Sequence, residues 1–242
     1  MNNYQALRPV AIVGSNRTPF CRAGTAYADL TNLDMLSNAI QGLVDRYQLQ
    51  NKLIDEVVAG AVTTHAKDFN LAREAVLSTT LSPLTSGITL QQACGTSLQA
   101  AFGIAAKIAC GQIECGIAAG SDSASDAPIV FSRRFSQRLL QLSRAKTLQQ
   151  KLAAFKQFRF GELSPVPPSI AEPRTGLSMG EHCELMAKEW KISREEQDIL
   201  AQASHNRAEA AYNNRFYDEL LSPCAGVLRD NNLRYDLTAE RL

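Results

Sequence analysis

The chain has no GxGxxG turn, no CxxC pair and no excess of charge of either sign, and each absence closes a class of function. Without the glycine fingerprint, the first apolar run and its turn do not read as a dinucleotide site. Cys21, Cys94, Cys110, Cys115, Cys183 and Cys224 lack the paired spacing of zinc or redox motifs, so reduced thiols in a cytoplasmic setting are expected. Lys+Arg 25 against Asp+Glu 24 gives a net charge of +1, which argues against nucleic acid as a partner. Met1 to Arg8 is polar, so no signal peptide is read there. Charge is also missing from residues 75–106, 32 positions in a row. Pro83, Gly87, Gly95, the Ser78/Thr79/Thr80/Ser82 cluster and Gln91-Gln92 interrupt that stretch, and unpaired polar groups are costly in lipid. A buried strand and helix are expected instead of a membrane span.

What is present reads as an α/β domain. Over 242 residues, 45% are hydrophobic and 20% charged, which suffices for a globular core. Val10 to Val13 is an apolar run ending at Gly14, expected to be a buried parallel strand. Thr31 and Asp34 form a capping box before Leu33, Leu36, Ile40, Leu43, Val44 and Tyr47 at helical spacing, predicting a helix over 32–47. A strand within 54–62, a helix near 71–81, a strand near 87–91, a helix over 95–109 and a strand over 115–120 follow. Such alternation predicts a mostly parallel sheet. The helix over 95–109 is made almost wholly of small residues, so it is expected to be the central, most buried one. Capping boxes Ser178/Glu181 and Ser193/Glu196 predict two later helices, to about Trp190 and Asn213.

Acidic residues vanish between residues 127 and 161, where eight basic residues stand: Arg133, Arg134, Arg138, Arg144, Lys146, Lys151, Lys156 and Arg159. Removing those eight from the 25 leaves 17 basic against 24 acidic elsewhere, a +8 segment on a −7 body. Five of the nine phenylalanines share it, and the apolar spacing fits one face of two short helices. The segment is expected to dock on an anionic membrane or on a partner subunit. The expected division is an incomplete α/β domain over 1–126 and a mainly helical loop domain over 127–242.

Cys94 is the leading candidate for chemistry. It precedes the all-small helix, and a helix N-terminus stabilises an anion such as a thiolate. Gly95 would let a substrate approach the backbone, and free N–H groups there would stabilise an oxyanion. His65, His182 and His205 read as ordinary loop or helix histidines.

Several segments resemble the thiolase family: Arg17-Thr18-Pro19-Phe20, Gln92-Ala93-Cys94-Gly95-Thr96-Ser97, Ala119-Gly120-Ser121-Asp122-Ser123, and Ser178-Met179-Gly180-Glu181 followed by Ser193-Arg194-Glu195-Glu196-Gln197-Asp198. The basic insertion and Pro167-Pro168-Ser169-Ile170-Ala171-Glu172-Pro173 are most similar to the long-chain 3-ketoacyl-CoA thiolases of fatty-acid β-oxidation. The resemblance implies the front half of a larger αβαβα enzyme, with a thiolase-like fold and acetyl-CoA C-acyltransferase activity. It implies Cys94 as the acylated nucleophile and Met179 and Gly180 against the acyl and pantetheine end of the substrate; Arg229 is a further candidate, to face a CoA phosphate, the alternative being an exposed loop arginine with no partner. CoA and acyl-CoA would be substrates, with no metal or redox cofactor. A homodimer or larger assembly and a β-oxidation partner subunit are also implied. The family's activating His and second Cys belong to a C-terminal domain expected to be absent; no Gly-His-Pro occurs, and the chain alone is expected to be inactive. The alternatives are a decarboxylating 3-ketoacyl synthase and a non-catalytic acyl-CoA-binding or assembly fragment.

Overall fold

A computed structural model describes residues 7–235 and Leu237. It divides into two compact units, one from residues 1–126 with 186–242 and the other from residues 127–185.

In the first unit, strands β1 (Glu56–Gly60), β2 (Ser86–Thr89) and β3 (Gly116–Gly120) form a parallel sheet in the order β2-β1-β3. All five residues of the central β1 are buried. Its side chains alternate. Val57 and Ala59 join the core made with helices α1 (Asn32–Arg46) and α2 (Leu71–Leu77), while Val58 joins the core made with α3 (Thr96–Ala109). The expected capping box starts α1: the Thr31 hydroxyl accepts from the Asp34 N–H at 3.1 Å, and the Thr31 N–H donates to the Asp34 carboxylate at 2.9 Å. Those Thr31 bonds hold the Asp34 carboxyl below its usual range. Leu36, Ile40 and Val44, four residues apart, then lie fully against the sheet.

Two expectations fail here. Val10 to Val13 forms no strand, and Ile12 and Val13 are 94% and 88% exposed. A strand exists through ladder bonds to a neighbour, and this segment pairs with no described strand. Its flanks are held by the Arg8 N–H on the Ala109 carbonyl at 3.0 Å, by Arg46 donating to the Ser15 carbonyl at 2.9 Å and by the Arg17 N–H on the Leu220 carbonyl at 2.9 Å. Nor is α3 buried on all sides. Only Thr96, Ala100 and Ile104, one row at i, i+4 and i+8, are buried on the sheet, while Leu98 and Phe102 stand in solvent. Small residues permit close approach but do not supply the neighbour that approaches. On the sheet side the permission is used: a Cβ at Gly60 would come within 2.9 Å of Thr96 Cγ2, and one at Gly120 within 3.1 Å of Ser97 Cβ.

Residues near the end of the chain return to its beginning. Arg17 makes two bonds to the Asp230 carboxylate, at 2.8 and 3.0 Å, and its guanidinium lies 4.8 Å from the Phe20 ring centroid and 5.0 Å from that of Tyr217. The Phe20 N–H also donates to Asp230 at 2.7 Å. This clamp holds residues 17–20 against the segment that follows α7 (Arg194–Asn213), whose Ser193/Glu196 capping box forms as expected.

The second unit contains α4 (Arg133–Arg144), α5 (Leu148–Ala154), a 3-10 turn at Phe160–Leu163, and the antiparallel pair β4 (Val130–Phe131) and β5 (Pro165–Val166). Helix α6 (Met179–Glu189) starts in it. The two short basic helices are those the apolar spacing predicts. Arg138 organises the unit: it donates to the carbonyls of Ala154 at 2.7 Å, Lys156 at 3.0 Å and Gln157 at 3.1 Å, and to the Glu162 carboxylate at 3.0 Å. Among the described residues no helix is long and apolar enough to cross a membrane.

Candidate active site

The strands of a parallel sheet end on one edge, which is where open α/β sheets bind ligands. Cys94 lies at that edge, on the turn joining β2 to α3. The preceding residue, Ala93, has φ +45°, a left-handed conformation that costs a non-glycine residue on the order of 1 kcal/mol. The turn is tied together by its own bonds. The Gln92 N–H donates to the Thr96 hydroxyl at 2.9 Å, that hydroxyl donates to the Ala93 carbonyl at 2.7 Å, and the Gly95 N–H donates to the Gln92 carbonyl at 3.0 Å. Thr96 is buried, so the tie is fixed from inside while Cys94 is exposed outside. Sequence reasoning passes over Thr96. Its signal is a hydroxyl residue two positions past the cysteine, at the first helical position.

Gly95 is not required by the chain's own packing. Its φ is −89°, and a Cβ there would meet only the Gln92 carbonyl oxygen, at 3.4 Å. The open space faces outward. The oxyanion expectation is narrowed, because the Gly95 and Thr96 N–H groups are already engaged by the carbonyls of Gln92 and Ala93.

The turn after β3 is held by the carboxylate of Asp122, which accepts from the Val62 N–H at 2.9 Å and the Thr63 N–H at 3.0 Å. The motif residue therefore locks two strand ends together. The histidines are each held by other groups: His65 Nε2 is 3.0 Å from the Asp126 carboxylate, His182 Nε2 is 3.0 Å from the Thr175 hydroxyl, and His205 Nδ1 accepts from the Arg234 N–H at 3.3 Å.

Met179 is the exposed first residue of α6. Around Gly180 a Cβ would find only the Ser178 hydroxyl, at 4.0 Å. Ser178 itself caps the helix, exchanging bonds with Glu181. Arg229 stacks on Tyr212, 4.4 Å from the ring centroid, and with Tyr217 and Leu228 lines an open depression of about 410 Å³ in the first unit. Of the remaining cysteines, Cys110, Cys115 and Cys183 are exposed. Cys224 stands in a Cys-x-Gly triplet with Ala225 and Gly226. Cys224 is buried in a cluster with Tyr27 and Met35, against which Cys21 packs, and burial pushes its thiol up, so it presents no accessible acid.

Residues 10–242 match the family described as "Thiolase, N-terminal domain". This chain belongs to the thiolase family. Among curated relatives, it is 39% identical over 237 residues to a 3-ketoacyl-CoA thiolase of Shewanella denitrificans and 41% identical over 237 residues to one of Vibrio cholerae. In both cases 96% of the chain aligns with 54% of the relative, so this thiolase chain spans about half the length of the curated relatives it matches. The thiolase fold is equally clear in solved structures. The crystal structure of the Bacillus anthracis acetyl-CoA acetyltransferase superposes with a TM-score of 0.77 at 24% identity, covering 98% of this chain and 58% of that one. Human mitochondrial 3-ketoacyl-CoA thiolase in complex with CoA superposes with a TM-score of 0.74 at 23% identity, covering 93% and 54%.

Proposed function

We propose that this thiolase chain supplies the nucleophile of an acyltransferase acting between 3-ketoacyl-CoA and CoA. The observation that carries the proposal is Cys94, exposed on a tied, left-handed turn at the positive end of a 14-residue helix. The Cys94 thiolate attacks the 3-keto carbon and a carbon–sulfur bond forms. The bond between carbons 2 and 3 then breaks, and its electron pair leaves on the acetyl-CoA fragment, which takes up a proton. The shortened acyl group stays on sulfur as a thioester until the thiol of free CoA attacks it and releases Cys94. Gly95, left without a side chain that packing would allow, keeps the approach to the sulfur open. Met179, Gly180 and Arg229 are proposed to contact the acyl-CoA.

The test is CoA-dependent cleavage of acetoacetyl-CoA and of a longer 3-ketoacyl-CoA by the product of the complete reading frame. Cys94→Ala is expected to abolish it while leaving the fold intact. Decarboxylation of a malonyl thioester without ketoacyl cleavage would instead mark a synthase, and acyl-CoA binding without either reaction a binding module.

Thiol reactivity gives a second check inside one helix. Cys94 precedes the N-terminus of α3 and Cys110 caps its C-terminus, where the dipole has the opposite sign. Both are exposed. Limiting iodoacetamide at neutral pH is expected to label Cys94 about 3- to 10-fold faster than Cys110. Faster labelling of Cys110 or Cys183, mapped by mass spectrometry, would remove Cys94 as the nucleophile.

A further inference from the structure

We infer that the second unit carries a docking surface for an anionic phospholipid bilayer, formed by the outward faces of α4 and α5. Successive helical residues are about 100° apart, which sorts the side chains by direction. In α4, Phe135, Arg138, Leu139 and Leu142 fall on the half-buried side, and Arg133, Gln137, Leu140 and Arg144 fall opposite, in solvent. In α5 the only buried residue is Ala154. Leu148, Leu152 and Phe155, at i, i+4 and i+7, make a stripe on another face, with Leu148 73% and Leu152 67% exposed. Lys151 borders that stripe.

The phenylalanines divide in the same way. Phe135 is half-buried and meets Phe131 at 5.1 Å and Phe158 at 6.3 Å between ring centroids, which accounts for the inner aromatics. The row of rings then continues outward through Phe155 and Phe158 to Phe160, which is 84% exposed. Internal packing therefore uses part of the apolar set and leaves an aliphatic and aromatic ridge in water.

The charges divide too. Of the eight basic residues between 127 and 161, Arg138 is consumed by Glu162 and three carbonyls. The other seven are exposed, and the segment contains no acidic residue to neutralise them. Exposed leucines interleaved with arginine and lysine fit a surface that is apolar beneath and anionic on top, which is a lipid headgroup layer. The −7 carried by the rest of the chain turns this segment toward such a surface. Each basic residue near an anionic membrane strengthens binding roughly fivefold, and salt screens the effect over about 10 Å.

The experiment is co-sedimentation of the full chain with vesicles of phosphatidylcholine alone and with 30% phosphatidylglycerol. Binding is expected to the anionic vesicles, at least tenfold tighter than to the neutral ones, and to fall steeply with added salt. The Arg133→Glu, Arg144→Glu, Lys151→Glu variant is expected to lose at least tenfold. Leu148→Ser with Leu152→Ser is expected to lose binding while the salt dependence remains. Reversing Arg22, Lys52 and Lys67 in the first unit is the control and is expected to change little. Circular dichroism of each variant establishes that it is folded. Equal binding to both vesicle types, no binding to either, or an equal loss from the control reversals would overturn the inference.

Discussion

Incubated alone with a 3-ketoacyl-CoA and CoA, the 242-residue chain is expected to give no sustained thiolysis. The proposed reaction needs two proton transfers, one from the attacking thiol and one to the departing acetyl-CoA carbanion. An assisting acid or base contributes about 10²–10⁴-fold to each. The three histidines are occupied by Asp126, Thr175 and the Arg234 N–H, and Cys224 is buried beside Tyr27. With both transfers unassisted, turnover is expected to fall by about 10⁴-fold or more below that of a complete thiolase. A slow stoichiometric acylation of Cys94, read by mass spectrometry, is compatible with this expectation. Sustained turnover by the pure chain at near-enzymatic rates would show that an acid or base within these residues serves Cys94.

The second large effect concerns stability. Asp230→Ala is expected to cost about 2–3 kcal/mol, below the 3–5 kcal/mol typical of a fully buried pair because the Arg17 side chain keeps 27% of its surface exposed. For a chain of this size that lowers the melting temperature by roughly 5–10 °C. The loss should depend on pH. Burial by itself would raise the Asp230 carboxyl, but the Arg17 guanidinium and the Phe20 N–H outweigh it and hold the carboxyl below the usual range. A carboxyl depressed in the folded state adds stability above its unfolded value of about 4, and that stability disappears as pH falls through the lower folded value. The difference between wild type and Asp230→Ala is therefore expected to be full at pH 7 and to shrink below about pH 4. An equal difference in melting temperature at pH 7 and pH 3 would mean that lost packing, not the ion pair, carries the effect.

The clamp also shows where sequence reading stops. Arg17 was legible as part of a motif, but its partner lies 213 positions away, and nothing local to either residue announces the pair. Arg138 and Glu162 are closer, yet in sequence Arg138 looks like one of eight equivalent cations. Only the fold separates the arginine that is spent on carbonyls from the seven left in solvent.

The sequence by itself determined the helices with their own start signals, α1, α6 and α7, because a capping box is completed within four residues. It also determined the parallel sheet and the location of Cys94 before α3, because alternation and helix starts are local patterns. Tertiary structure alone decided what each element is buried against. Val10 to Val13 has strand composition and no ladder, and α3 has the small residues of a buried helix but one covered face. The left-handed Ala93 and its Thr96 tie were likewise invisible, since both depend on the path from β2 into α3. Local hydrogen bonds and periodicity are written in neighbouring residues, whereas burial and pairing require a second surface that the local pattern does not name.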